Sequence, residues 1–281
     1  MNFMLASIKK AKDLYKAHSG KEDVRKKIKD EVIEMALREN FSDRVRLANA
    51  YMDEVVTAVK RLNIHGVDVR AVVSTKLLVG TASGFLKVIT EVGMHWDPVL
   101  DLPYVPGSSI KGILRSNALE LCKEKKSEEC VKYVLKLFGS GETFAEAEEV
   151  FGFKGFTTEA HVGKVVVTNA YPTELSEGKL FAGDIVNPHY YKNNKVVENE
   201  YEVVPVPVTS LVIRKGVRFR FVIGVKELED AKKLSKLLFN YDLKKPSELV
   251  FLLLTYSFSR GIGAKSSRGY GYMDVEVVNL W

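Results

Sequence analysis

Over the first 65 or so residues, apolar side chains recur every three or four positions, the period of helices that bury one face. The clearest stripe is Leu47, Tyr51, Val55, Val59 and Leu62, and Asn63 and Gly66 end it. The same segment carries 14 Lys and Arg against 10 Asp and Glu, so charge clothes helix faces rather than marking a disordered tail. A helical cap on the chain's own domain and a docking surface for a neighbouring subunit both fit. From Val67 the pattern becomes mixed. Strands are predicted at Asp68 to Val79, Val162 to Asn169 and Tyr270 to Val278. Thr209 to Ile213 and Val217 to Val225 read as a hairpin turning at Arg214-Lys215-Gly216. Helices are predicted from Ser109, over Glu227 to Phe239 and over Ser247 to Phe258. This order suits an α+β fold with a ferredoxin-like, RRM-type sheet, and insertions at Ser140 to Ala160 and Thr173 to Val204. The chain then divides into a helical extension, residues 1–65, and a mixed domain, residues 66–281.

Charge and cysteine content narrow the function classes. Lys and Arg total 42 against 36 Asp and Glu, a net charge of +6 that suits an anionic partner. No apolar run approaches the roughly 18 residues of a membrane span, and Lys9, Lys10 and Lys12 interrupt any signal-like segment. A soluble, cytoplasmic protein is expected. Cys122 and Cys130 lie in no CxxC or Cys/His cluster, so no zinc site is expected. They are reduced thiols in a mesophile, or a disulfide if the absence of glutamine and the abundance of Lys and Glu mark a hyperthermophile.

The richest chemistry lies in Gly261-Ile262-Gly263-Ala264-Lys265-Ser266-Ser267-Arg268-Gly269-Tyr270-Gly271. Glycines expose backbone N–H groups and permit close approach to phosphate. A helical run precedes this loop and a strand follows it, the reverse of a Walker loop, and neither G-x-x-x-x-G-K-[ST] nor G-x-G-x-x-G occurs. A polymer of phosphates therefore fits better than a nucleotide. A second segment runs from Pro103 through Pro106, Gly107, Ser108 and Ser109 into a helix, where either serine can cap. Ile110, Ile113, Leu114 and Leu121 form its core stripe, leaving Lys111 and Arg115 one turn apart near the positive end of the dipole. That is an anion seat or simply a capped helix with two solvated cations.

Taken together, P-G-S-S-x-K-G-x-x-R and the downstream G-I-G-A-K-S-S-R-G-Y-G resemble the RAMP superfamily, the RNA-binding proteins of CRISPR effector complexes. Thr168-Asn169-Ala170-Tyr171-Pro172, the segment Gly183 to Tyr191 and Pro205-Val206-Pro207-Val208 make the chain similar to the sixth-subunit family of the type III-B (Cmr) complex. The resemblance covers about Val69 to Val278. It implies a non-catalytic subunit that caps the backbone filament near the 3′ portion of the CRISPR RNA. Implied partners are CRISPR RNA and target RNA, the backbone slicing subunit, the small subunit and another RAMP capping subunit. Phosphates would be held by Gly261, Gly263, Lys265, Ser266, Ser267, Arg268, Gly269 and Gly271, with Gly107, Ser108, Ser109, Lys111 and Arg115 extending the track. His189, in the matching segment after Asp184, is a further candidate contact.

Other features compete. Arg218 and Arg220 alternate with apolar residues along one strand, giving either a nucleic-acid face or a solvated one. Arg268 to Val275 approaches the RRM signature, and its tyrosines serve as loop support or as base-stacking groups. Asp97 and Asp101 offer a counterpart to the lone catalytic aspartate of the family's target-slicing backbone subunit, but the residues around them do not match that segment and they are read as solvated loop acids. A metal-independent RAMP endoribonuclease is the alternative function, with His161, Tyr171 and Lys111 as its base, acid and cation. A stand-alone RRM-like RNA binder is a third reading. No cofactor is indicated.

Overall fold

The computed structural model describes residues 2–18, 24–62, 64–80, 84–87, 92–140, 161–186, 191–192, 195–196, 208–226 and 228–281. The N-terminal region forms α1 (Phe3–Ala17), α2 (Val24–Arg38) and α3 (Ser42–Arg61). Asn2 caps α1, its side chain accepting from the Leu5 N–H. In α3, Asp43 lies in the first turn and Lys60 and Arg61 in the last, each at the favourable end of the dipole.

The buried face of α3 is rotated from the predicted one, of which only Val55 and Val59 pack, half-buried, against the core. Val45, Ala48, Met52 and Val56 face the core, whereas Leu47, Tyr51 and Leu62 are 55%, 46% and 66% exposed. Both lines have helical spacing, so periodicity alone does not choose between them. A buried sheet arginine does. Arg220 Nη1 donates to Asn49 Oδ1 (3.0 Å) and Asp53 Oδ1 (2.8 Å), which fixes the rotation of α3 about its axis.

Beyond α3 come the strands β1 (His65–Val73), β2 (Trp96–Asp97) and β3 (Leu102–Pro103), then the helices α4 (Gly107–Glu124) and α5 (Glu128–Phe138). The short pair β4 (Gly139–Ser140) and β5 (His161–Val162) brackets a segment outside the described residues that includes the predicted Ser140 to Ala160 insertion beyond Ser140. Next are β6 (Val165–Val167), β7 (Tyr171–Glu174), β8 (Phe181–Val186), β9 (Tyr191–Lys192), β10 (Lys195–Val196), β11 (Val208–Ile213) and β12 (Arg218–Val225). The helices α6 (Leu228–Phe239) and α7 (Pro246–Phe258) lead to β13 (Met273–Leu280). The main sheet has the order β13-β1-β12-β6, with β7 also on β12, and every neighbouring pair is antiparallel. The fold is therefore α+β.

Both faces of this sheet are covered. Val67, Val69, Ala71, Phe219 and Phe221 are buried on the side of α7, where the Phe221 and Phe258 rings lie 6.0 Å apart. Asp68 and Arg220 point to the other face, beneath α3. The N-terminal helices and the sheet share one hydrophobic cluster, running from Phe3 and Val32 through Met52 to Phe258. Cys122 and Cys130 form a disulfide between α4 and α5.

The predicted hairpin does not form. β11 pairs with β8, in register from Val208 opposite Val186 to Ile213 opposite Phe181. β12 has both edges occupied, by β1 and by β6 with β7, so β11 has no place beside it. The turn itself is present, with Val217 N–H donating to Arg214 O (3.3 Å), but Gly216 N–H reaches Val73 O (2.7 Å) and turns the chain into another sheet. The predicted first strand also stops early, at Val73, before the irregular stretch that receives the glycine loop.

Candidate nucleic-acid interface

After α7 the chain runs through the loop 261–271 before entering β13. Three of its four glycines are used inward, whereas Gly269 (φ +82°) has open space where a Cβ would stand. Gly263 has φ +81°, and a Cβ there would stand 2.2 Å from Leu78 O. At Gly271 (φ +77°) a Cβ would lie 1.9 Å from Ile262 O. The corresponding hydrogen bonds are short: Ala264 N–H to Leu78 O and Gly271 N–H to Lys76 O, both 2.8 Å, and Ile262 N–H to Gly271 O, 2.9 Å. These glycines let the loop lie on the chain that follows β1, and their neighbours' amides are engaged with protein carbonyls. The outer part is different. Lys265, at φ +61°, opens a 3-10 turn over Ser266–Arg268, in which Ser267 and Arg268 are exposed and Lys265 and Ser266 half-buried.

A carboxylate fastens this loop. Asp184, on β8, accepts from Lys76 Nζ (2.7 Å) and from the Tyr270 hydroxyl. Burial pushes the Asp184 pKa up, but the hydrogen bonds from Lys76 and Tyr270 outweigh it, and the net result is below the ordinary value. The Tyr270 hydroxyl is pushed up to about 12, by burial and by Asp184. Tyr270 is thus loop support, and residues 268–272 precede the strand rather than lying in it. Lys265 titrates below the usual lysine range, because burial and the neighbouring Arg268 outweigh the pull of Asp184.

The start of α4 supplies the facing wall. Its N-cap is Pro106, and neither Ser108 nor Ser109 caps it. The Gly107 N–H instead donates to Asn169 Oδ1 (3.0 Å), because Gly107 packs against the end of β6, where a Cβ would stand 2.3 Å from Val167 O. Both serines are left exposed in the first turn. Lys111 and Arg115 lie half-buried one turn apart. The Lys111 amine is lowered by burial and by Arg115, and burial also lowers Arg115. A cleft of about 360 Å³ joins the two segments, lined by Ser109, Ile110 and Ile113 from α4 and by Ile262, Gly263 and Ala264 from the loop. Val79, Gly80, His95 and Val105 complete its wall. Stretches about 150 residues apart in the chain thereby form one surface.

Other sequence candidates fall elsewhere. Arg220 is buried and makes a two-point contact with Asp68 (2.9 and 2.7 Å), so it is neither a nucleic-acid contact nor a solvated charge. Arg218 pairs with Glu174 at 2.6 Å. Asp97 and Asp101 are not solvated acids. Asp97 accepts from the Val99 and Leu100 N–H groups and from the Tyr171 hydroxyl at 2.7 Å. Asp101 accepts from Phe3 N–H and Met4 N–H and pairs with Arg44 at 2.7 Å, tying the start of α1 to the domain. His189 and the Pro205 to Pro207 stretch lie outside the described residues, as does the side chain of His161. His95 and Asn169 belong to the site although sequence reasoning does not place them there. Nothing in the local pattern around His95 marks it, and only the cleft reveals it.

An antiparallel α+β domain in which a glycine loop and a helix start, each carrying two cations, line one cleft fits the RAMP class of protein. The chain belongs to the RAMP superfamily, whose sequence profile matches residues 70–274. Within it the chain is a homologue of Cmr6. It is 30% identical over 259 residues to the CRISPR system subunit Cmr6 of Saccharolobus solfataricus, covering 92% of this chain and 75% of that one. It is 24% identical over 252 residues to Cmr6 of Pyrococcus furiosus, covering 74% of this chain and 68% of the relative. Among solved structures it is similar to a chain in the cryo-EM structure of the type III-B Cmr-beta complex bound to cognate target RNA, with a TM-score of 0.63, 30% identity and the same 92% and 75% coverage.

Proposed function

We propose that this chain is a non-catalytic, CRISPR RNA-binding capping subunit of a type III-B antiviral ribonucleoprotein that targets foreign RNA, seated near the 3′ portion of the guide. The observation that carries this reading is that the helix start bearing Lys111 and Arg115 and the loop bearing Lys265 and Arg268 line one cleft, through Ser109, Ile110 and Ile113 on one side and Ile262, Gly263 and Ala264 on the other. Burial lowers three of these four groups, with a neighbouring cation adding to it at Lys111 and Lys265, and a bound anion relieves both effects. That the similar chain belongs to a type III-B Cmr-beta complex bound to cognate target RNA supports it.

The sheet is ferredoxin-like and RRM-type. Its support is the order β1, two helices, β6 with β7, β12, two helices and β13, arranged in space as β13-β1-β12-β6. In an RRM the bases stack on the open sheet face, but here α3 lies on that face, so the RNA track follows the loop and α4 instead. Its partners are CRISPR RNA and target RNA, the backbone slicing subunit, the small subunit and another RAMP capping subunit. It works in the cytoplasm, consistent with the finding that, among the described residues, no helix is long and apolar enough to cross a membrane. The chain positions RNA and does not cleave it. Tyr171, a candidate for the endoribonuclease reading, donates its hydroxyl to Asp97, and burial and that bond raise its pKa.

The test is a salt titration of single-stranded RNA binding, with repeat RNA incubated in EDTA alongside. Each neutralised phosphate adds about 0.7 to the log–log slope, with little dependence on base identity. Salt-insensitive, base-selective binding would sink the phosphate reading, and cleavage in EDTA that His161→Ala abolishes would replace it with the nuclease.

A further inference from the structure

We propose that Asp184, on β8, is a positioning residue for RNA: a carboxylate that strengthens the binding of an anion by holding the loop cation Lys265 in place through Tyr270. This deepens the proposed function and rests on it. Charge alone would assign Asp184 the opposite effect. It is close enough to Lys265 to oppose the lowering that burial and Arg268 impose there, and a carboxylate beside a phosphate track repels the strand. Its side chain, however, is only 10% exposed, and both oxygens are engaged. Oδ1 accepts from Lys76 Nζ at 2.7 Å and from the Ile185 N–H at 3.0 Å, and Oδ2 accepts from the Tyr270 hydroxyl. Such a group is turned to the protein, where it can set the geometry of its donors.

The path from Asp184 to Lys265 is one residue long. Tyr270 donates its hydroxyl to Asp184. Lys265 Nζ lies over its ring, 5.9 Å from the centroid, within the range of a cation–π attraction. The Tyr270 backbone N–H donates to Lys265 O at 3.3 Å. One tyrosine thus meets both the ammonium and the backbone of the residue that opens the outer turn. The other end of the path is a second sheet. β8 pairs with β11, and Ile213, at the end of β11, exchanges two backbone hydrogen bonds with Leu77 (3.0 and 3.2 Å), in the stretch on which the loop's inner glycines lie. Asp184 therefore joins three segments at one point: its own strand, the stretch after β1 through Lys76, and the loop through Tyr270. Lys76 and Tyr270 are its donors in this assignment rather than RNA contacts.

The test measures single-stranded RNA affinity against salt for the full chain carrying Asp184→Asn or Tyr270→Phe, alone and added to Lys265→Ala with Arg268→Ala. Were Asp184 only a repelling charge, Asp184→Asn would tighten binding and Tyr270→Phe, which alters no charge, would leave it unchanged. The expected result is the reverse. Each variant weakens binding by roughly 2- to 30-fold and lowers the salt slope toward that of Lys265→Ala with Arg268→Ala, and neither has a further effect once both cations are gone. Unchanged or tighter binding by either variant overturns the positioning role. So does a weakening that persists in full without the two cations, because a residue that merely supports the fold acts whichever side chains meet the RNA. Should Asp184→Asn not fold, Tyr270→Phe decides alone, since it keeps the Lys76 pair and the ring beneath Lys265. A wild type that does not bind RNA, or whose salt slope is untouched by Lys265→Ala with Arg268→Ala, overturns the proposed phosphate track and this role with it.

Discussion

Two basic stretches look alike in the sequence and behave oppositely in the structure. On β12, Arg220 is buried against Asp68 and Asp53, and the hydrogen bond to Asp68 is the main reason its pKa is raised, despite burial. Around the cleft, Lys111 and Lys265 are lowered, by burial and by the cations next to them. The first set of charges is neutralised within the molecule and joins α3 to the sheet. The second keeps an excess of positive charge at these two lysines, offset only in part at Lys265 by Asp184. Basic residues mark a nucleic-acid surface only where the fold has not already supplied their counter-ions.

The sharpest way to break this comparison is Asp68→Asn. It removes the buried one of the two carboxylates that pair with Arg220, leaving the more exposed Asp53, and we expect a loss of about 3 kcal/mol in denaturant unfolding. Replacing both partners, Asp68→Leu with Arg220→Met, should recover most of that loss. If Asp68→Asn is neutral, the β12 cations are not structural.

Gly263→Val comes next. It forces a β-branched residue into φ +81° and against Leu78 O, and should cost about 1–3 kcal/mol in a thermal melt before RNA is added. The substitution therefore tests the seating of the loop, not the approach of phosphate. An unaltered melting temperature would contradict the close packing described for it.

Lys265→Ala with Arg268→Ala should leave stability within about 0.5 kcal/mol and lower the RNA salt slope by about 1.4 if each cation holds one phosphate. Arg218→Ala, by contrast, should leave that slope unchanged. Equal slopes for both variants would erase the distinction between the two regions.

The smallest expected effect is a proton linkage. Because the Lys111 and Lys265 amines of the RNA-free protein titrate below the ordinary lysine value of about 10.4, an approaching phosphate raises them again. RNA binding on the alkaline side of neutrality should therefore take up protons, and affinity should fall as pH rises towards the ordinary lysine range. Calorimetry in buffers of different ionisation enthalpy reads this uptake, and none anywhere between neutrality and the ordinary lysine value of about 10.4 would mean that these amines do not meet the RNA.

Local pattern was enough to place the main helices and to single out the two basic segments. Helical periodicity marked the N-terminal region, and the ends of α6 and α7 fall within about a residue of those predicted. The glycine loop and the helix start, expected at Ser109 and found at Gly107, stood out because local composition encodes turns and charge. Tertiary structure alone decided which helix face is buried, which strands pair and which cations are already satisfied. Leu47 and Val45 have equally helical neighbours, so the rotation of α3 waited on Arg220, which lies 171 residues from Asn49 in the chain. β11 alternates as well as any hairpin strand, but the edges of β12 were taken. Asp97, Asp101 and Asp184 could not be told from solvated acids, because the groups that hydrogen-bond them include Tyr171, Phe3 and Lys76, each 70 residues or more away. His95 gave no signal at all, since a cleft is a property of surfaces brought together by packing, which no local pattern records.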